Sequence, residues 1–319
     1  MPITGPTSFV PTLNLFIPHW VDVNSALGTD LVLEDGTTIT VMTGYRNDLD
    51  GFRASMKDKI NDSQIAVGFV TNRKTALVSR LAEFNRKVRG SIGSSPYAAA
   101  LPLVPSITSG EGLILDPLDD MASLWPKINA ATIAGFTGPL VLPGGYALAA
   151  YLADLALLRT SYIDAGKATH EVDLELKLRN FIQDKAYDAM VKYREKATGE
   201  FTANDPHVLS LPAVKPPPGS TPDPVQLSGS WSASLLAAVF TWLESIDPNL
   251  AEYELRMNPG ATYNADLAFV VGNAVPGTLT LSTLEGLIAS GMTASFRLFV
   301  ITTTGNEAGS NTITITRPV

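Results

Sequence analysis

The chain has no cysteine, which excludes disulfide bridges, thiolate metal centres and a cysteine nucleophile, and leaves the redox compartment open. Positive charge is scarce. Lys and Arg number 23 against 31 Asp and Glu, for a net charge of −8, the wrong sign for gripping a phosphate backbone. The densest basic run, Asn85-Arg86-Lys87-Val88-Arg89, closes a helical pattern, where cations meet the negative end of the helix dipole. No nucleic-acid partner is expected. Long hydrophobic runs are missing too: no window approaches about 18 uninterrupted apolar residues. The start, MPITGPTSFVPTLNLFIPHW, is broken by prolines and lacks the basic-then-apolar order of a secretory leader. Membrane insertion is therefore not expected, and the default address is cytoplasmic.

Histidine is rare, at three residues. His170 opens HEVDL, but the position four residues on, where a zincin carries its second histidine, holds Leu174. His19 and His207 adjoin prolines and read as hydrogen-bonded loop residues. There is no GxSxG elbow, P-loop or GxGxxG turn. NDLDGF (47–52) places Asp48 and Asp50 before Gly51, but it lacks the far acidic ligand of a calcium loop and sits in a helical pattern. The acids Asp116, Asp119 and Asp120 read as a helix start. No catalytic residue, cofactor or metal is expected.

What the chain does have is apolar content, 45% over 319 residues, enough for more than one core. It also has an echo. Residues 31–37 read LVLEDGT and residues 140–146 read LVLPGGY. Around this pair, Pro18 lines up with Pro126, Tyr45-Asp48-Leu49-Arg53 with Tyr151-Asp154-Leu155-Arg159, Phe84 with Tyr193, and SPYAAALP (95–102) with DPHVLSLP (205–212). Anchors in one order at a nearly constant spacing indicate two copies of one unit of roughly 105 residues. The expected organisation is a helical repeat at 1–105, a second at 106–211 packing with it as one helical body, a proline-rich linker at 212–224, and a β-sandwich at 225–319.

Each copy carries a long proline-free stretch with three-four apolar spacing, from Met42 to Val88 and from Leu148 to Tyr193. One helix of about 50 residues, roughly 75 Å long, is expected in each rather than a hairpin. A further helix, Asp116 to Ala131, is expected to be cut short by Pro126. The stretch PAVKPPPGSTPDPVQL reads as a stiff extended linker. Beyond it, short runs of alternating β-branched and aromatic residues (LAAVFTW, YELRM, FVVGN, TLTLST, SFRLFVITT, NTITITR) predict roughly seven strands.

The stretch from Val225 to Pro318 resembles a fibronectin type III domain. Trp242 stands where that family carries its core tryptophan, Tyr253 lies on the next strand, LEGL (284–287) is placed like the leucine before the sixth strand, and TTTGNEAGSNTITI looks like the last hairpin. The position of the family's corner tyrosine holds Ala294, so packing must hold that corner. The whole chain resembles uncharacterised bacterial fibronectin type III domain-containing proteins. The resemblance implies a multidomain α plus β architecture: a duplicated helical region followed by a seven-stranded fibronectin type III-like sandwich.

The functional expectation is a non-enzymatic structural and interaction protein, a homo-oligomer formed by any apolar seam left unburied. A second class is a module binding protein or carbohydrate through the sandwich loops, with Thr304, Asn306 and Asn311 at the contact. Trp20 and Trp125, at matching joints of the two copies, are the other candidate interaction residues; the alternative reading plugs each into the joint between lead and long helix. A hydrolase, the third class, would need a pocket gathering Asp, Glu or His from both copies.

Overall fold

The computed structural model describes residues 2–216, 221–265 and 267–318, so part of the expected linker at 212–224 lies outside the described residues. Among them run six α-helices, α1 (Phe9–Leu27), α2 (Ile39–Ile92), α3 (Pro96–Ala99), α4 (Glu111–Ala130), α5 (Leu148–Glu200) and α6 (Pro206–Leu209). Eight strands follow: β1 (Leu227–Ser232), β2 (Ala237–Trp242), β3 (Leu250–Pro259), β4 (Phe269–Ala274), β5 (Thr280–Thr283), β6 (Thr293–Thr302), β7 (Glu307–Gly309) and β8 (Ile313–Thr316). The long stretches are single helices of 54 and 53 residues. No helix among the described residues is long and apolar enough to cross a membrane.

Two compact units divide the chain: Ile65–His170, and Met1–Gln64 together with Glu171–Val319. In the first, α4 turns Ile114, Leu118, Met121, Trp125 and Ile128 inward against Leu77, Leu81, Phe84 and Val88 of α2 and Tyr151, Leu155 and Leu158 of α5. The three-four spacing of these residues makes the buried stripe. In the second, α1 buries Leu13, Phe16, Trp20 and Val23 against Met42 and Leu49 of α2 and Ala186, Met190 and Tyr193 of α5.

The LVL echo closes these two cores. Leu31 and Leu33 are buried with Val32 outside, and Leu140 and Leu142 are buried with Val141 outside, the alternation of extended chain. Asn24 Oδ1 accepts from the Leu31 amide at 2.9 Å, and Asn129 Oδ1 from the Leu140 amide at 2.8 Å. Each turn then shuts on a backbone bond, Leu33 N to Thr37 O at 2.9 Å and Leu142 N to Tyr146 O at 2.8 Å. Gly36 and Gly144 take positive φ (81° and 76°) to make those turns.

Pro126 does not cut its helix short: α4 runs through Pro117 and Pro126, as α1 runs through Pro18. Pro18 and Pro126 are exposed, so carbonyls freed by the missing N–H can face water. The cost of about 3 kcal/mol for an interior proline is offset by burial of the apolar stripe on the other side.

The strands form two antiparallel sheets, β1-β2-β5 and β4-β3-β6-β7, with β8 also pairing to β6. They share one core, in which Phe240 and Trp242 of β2 meet Tyr253 and Met257 of β3 and Phe296 and Leu298 of β6. Where seven strands were expected there are eight, because the last is split. Between β7 and β8 the Asn311 side chain turns away to bond Leu227, accepting from its N–H at 2.8 Å and donating to its carbonyl at 3.0 Å. Ala294, at the corner, is fully buried. Gly286 (φ 77°) packs so closely there that a Cβ would lie 2.6 Å from Met257 Cε and 3.0 Å from Ala294 Cβ. Arg317 adds two bonds, to the carbonyls of Leu287 at 3.1 Å and Ile288 at 2.6 Å.

Candidate functional site

Trp20 and Trp125 are fully buried. Trp20 stacks on Tyr193 with ring centroids 4.5 Å apart, and Trp125 lies 5.3 Å from Phe84 and 5.8 Å from Tyr151. Each ties a lead helix to the long helices, so neither offers surface to a partner. Thr304 and Asn306 close the β6–β7 turn: Asn306 Nδ2 donates to Thr304 Oγ1 at 3.2 Å, and the Thr302 amide donates to Asn306 O at 3.0 Å. With Asn311 holding Leu227, the expected contact residues act within the sandwich itself. His170, Asp48 and Asp50 are exposed on helices. No group of His, Asp or Glu among the described residues is arranged to hold a metal ion.

His19 and His207 come together in the unit that contains α1. His19 Nε2 lies 2.9 Å from the His207 carbonyl and Nδ1 lies 2.6 Å from Tyr193 Oη. These bonds assign the neutral tautomer, with Nε2–H donating to the carbonyl and Nδ1 accepting the phenol proton. Burial lowers the His19 pKa, against the raising effect of its backbone bond to His207. The unfolded chain therefore takes up the proton first, so stability is full above about pH 6.5 and falls as pH drops below it. Denaturation midpoints at pH 7.5 and pH 5.5 will show this loss, and His19→Gln will remove that share of it.

A charged cluster that the sequence did not announce lies on the outer face of β3. Arg256, 4% exposed, donates to both oxygens of Glu307, at 2.9 and 2.6 Å, and also to Glu254. Its guanidinium sits 4.0 Å over the Phe299 ring. Burial works against the charge, but the Glu307 hydrogen bonds and the two carboxylates more than compensate, raising the pKa of Arg256. The N-terminal segment crosses this cluster. Thr4 Oγ1 donates to Glu307 at 3.2 Å, Thr7 Oγ1 donates to Glu254 at 3.3 Å, and Gln183 of α5 donates to the Pro6 carbonyl at 2.9 Å. Lys57 of α2 pairs with Glu285 at 3.2 Å. The sandwich is thus docked on the helices of its unit. A cleft of about 330 Å³ beside the cluster has an apolar wall of Val10, Phe52, Met56 and Phe269. Its carboxylates are Asp50, Glu252 and Glu254; Glu254 is taken by Arg256 and Glu252 accepts from Asn273 at 3.0 Å.

The opposite behaviour appears in the loops after β2 and β4. Leu243 is 79% exposed, Ile246 88% and Val275 66%. These loops are held in place: Glu244 accepts from the Gly277 amide at 2.8 Å, Tyr253 Oη from the Ser245 amide at 2.7 Å, and Asp247 from the Asn249 amide at 2.8 Å. The side chains are presented by an ordered backbone. One sequence signal could have found them: Leu243 directly follows Trp242, breaking the strand's period of two.

No family model matches the chain, and no curated protein matches it. Among solved structures, it is similar over 31% of its length to a Fn3-like protein from Clostridium thermocellum, at 15% identity and TM-score 0.25, covering 96% of that chain. The FN5 domain of Drosophila Lar matches 31% of this chain and 99% of its own at 18% identity and TM-score 0.24. A pectate lyase, PelI from Erwinia chrysanthemi, solved with tetragalacturonic acid, matches 29% of this chain and 28% of its own at 20% identity and TM-score 0.25. The chain thus spans little more than a quarter of the pectate lyase's length.

Proposed function

We propose that the chain is a non-enzymatic structural and interaction protein, in which a fibronectin type III-type sandwich is fixed on a duplicated helical body and grips a protein partner through its free loop end. The strand order, with a core tryptophan on β2, supports the domain type. The observation that carries the function is the exposed triplet Leu243, Ile246 and Val275 on loops pinned by hydrogen bonds. An ordered loop showing aliphatic side chains to water has already met the entropic cost of ordering, which favours binding.

The partner's chemistry follows from the surroundings. Glu244 and Asp247 flank the apolar residues, and the sandwich from 225 onward holds only three basic residues, Arg256, Arg297 and Arg317. A protein surface with an apolar centre and a Lys/Arg rim is complementary. The two loops, 243–249 and 275–279, contain no aromatic residue on which a sugar ring would stack, so protein is favoured over carbohydrate.

A photo-crosslinking side chain at position 246 tests this in the full chain. The expected result is one discrete protein adduct, weakened severalfold by Asp247→Lys and by added salt. Equal labelling from an exposed helix position, or no adduct, would overturn the reading.

A further inference from the structure

In the unit that contains its C-terminal half, α5 has two apolar faces. One turns inward: Leu176 and Val172 pack with Met56 and Ile60, and Ala186 and Met190 pack with the α1 core. The other carries Leu174, Leu178 and Phe181, which are 49, 45 and 57% exposed. Their spacing, i, i+4 and i+7, puts them in one stripe, and at 3.6 residues per turn that stripe lies on the side of the helix away from the inward set. A helix apolar on two sides has more to bury than its own core can take.

We propose that this stripe is a contact with a second copy of the chain, the two α5 helices crossing antiparallel about a two-fold axis at Leu178. The charges decide between partners. Glu171 lies seven residues before Leu178 and Lys185 seven residues after it, and Lys185 Nζ stands 5.6 Å from the Phe181 ring, at the end of the stripe. A parallel pair would set glutamate by glutamate and lysine by lysine. The antiparallel two-fold pair sets Glu171 of each copy beside the other's Lys185 at both ends, the self-complementarity an isologous interface requires. Glu171 also reaches Lys59 at 3.7 Å, both side chains being partly exposed.

A contact of two helical turns buries less than the about 1,200 Å² of a stable interface, so the dimer is weak, with half-dissociation on the order of 100 µM. Sedimentation of the full chain from about 10 to 500 µM tests it, a range that brackets such a constant. The weight-average mass should rise toward that of a dimer. Leu178→Glu, at an exposed position that leaves the fold intact by circular dichroism, should hold the chain monomeric throughout. Lys185→Glu should weaken association severalfold, and Glu171→Lys added to it should restore it. A constant monomer mass overturns the proposal. So does a dimer indifferent to Leu178→Glu, and failure of the charge swap to restore association overturns the antiparallel two-fold arrangement.

Discussion

Replacing Arg256 by alanine is expected to destabilise the sandwich and its docking by about 3–5 kcal/mol, the range for breaking a buried ion pair by removing one partner. The reason is what remains. Glu254 is 8% exposed and the Glu307 side chain 12%, so two largely buried carboxylates lose the guanidinium that pairs them. Thr4 and Thr7 donate to those carboxylates, so the N-terminal segment should loosen as well, and faster amide exchange over residues 3–8 will report it. Arg256→Lys keeps the charge but cannot bond both oxygens of Glu307 and Glu254 together, and should fall between wild type and alanine. Replacing all three charged residues by apolar ones of similar volume should cost far less than Arg256→Ala, because no orphan charge is left. An alanine variant within about 1 kcal/mol of wild type, well below the range for such pairs, would mean that water already reaches the cluster.

The same cluster marks where sequence reading stops. In YELRM, Glu254 and Arg256 alternate with Tyr253, Leu255 and Met257, which on an antiparallel strand reads as one buried and one solvated face. The inward half was legible for that reason, and so were Phe240, Trp242, Phe296 and Leu298. The outward half was not, because what covers it is a segment some 250 residues earlier whose local pattern gives no hint of the contact. Pro126 shows the reverse error: a strong local signal was outweighed by burial on the opposite side of the helix. The Pro18–Pro126 match is also displaced. The residues in equivalent roles are Trp20 with Trp125 and Asn24 with Asn129, both 105 apart. The bond that both Asn24 and Asn129 accept from the first amide of the following LVL segment could be found only in three dimensions. The second apolar face of α5 was present in the sequence, at Leu174, Leu178 and Phe181, but a search for one stripe finds Val172 and Leu176 and stops.

Those tryptophans support the second large effect. Trp20→Ala and Trp125→Ala should each cost about 3–5 kcal/mol, the range for deleting a fully buried large aromatic side chain. Hydrogen exchange read separately over each unit should place the loss differently: Trp20→Ala in the unit of α1, Trp125→Ala in that of α4, since each ring packs within its own core. The conservative substitution separates packing from hydrogen bonding. Trp125 Nε1 donates to the Leu140 carbonyl at 3.1 Å, whereas Trp20 Nε1 is buried with no acceptor. Trp→Phe removes the same volume at both positions, but at Trp125 it also orphans a buried carbonyl, and at Trp20 it deletes a donor already unpaired. Trp125→Phe should therefore be the costlier by about 1–2 kcal/mol, the worth of one buried hydrogen bond and its desolvated partner. Equal losses would show that the Trp20 indole finds an acceptor in solution, most simply a buried water, and that the two joints are matched in their polar contacts as well as in their packing.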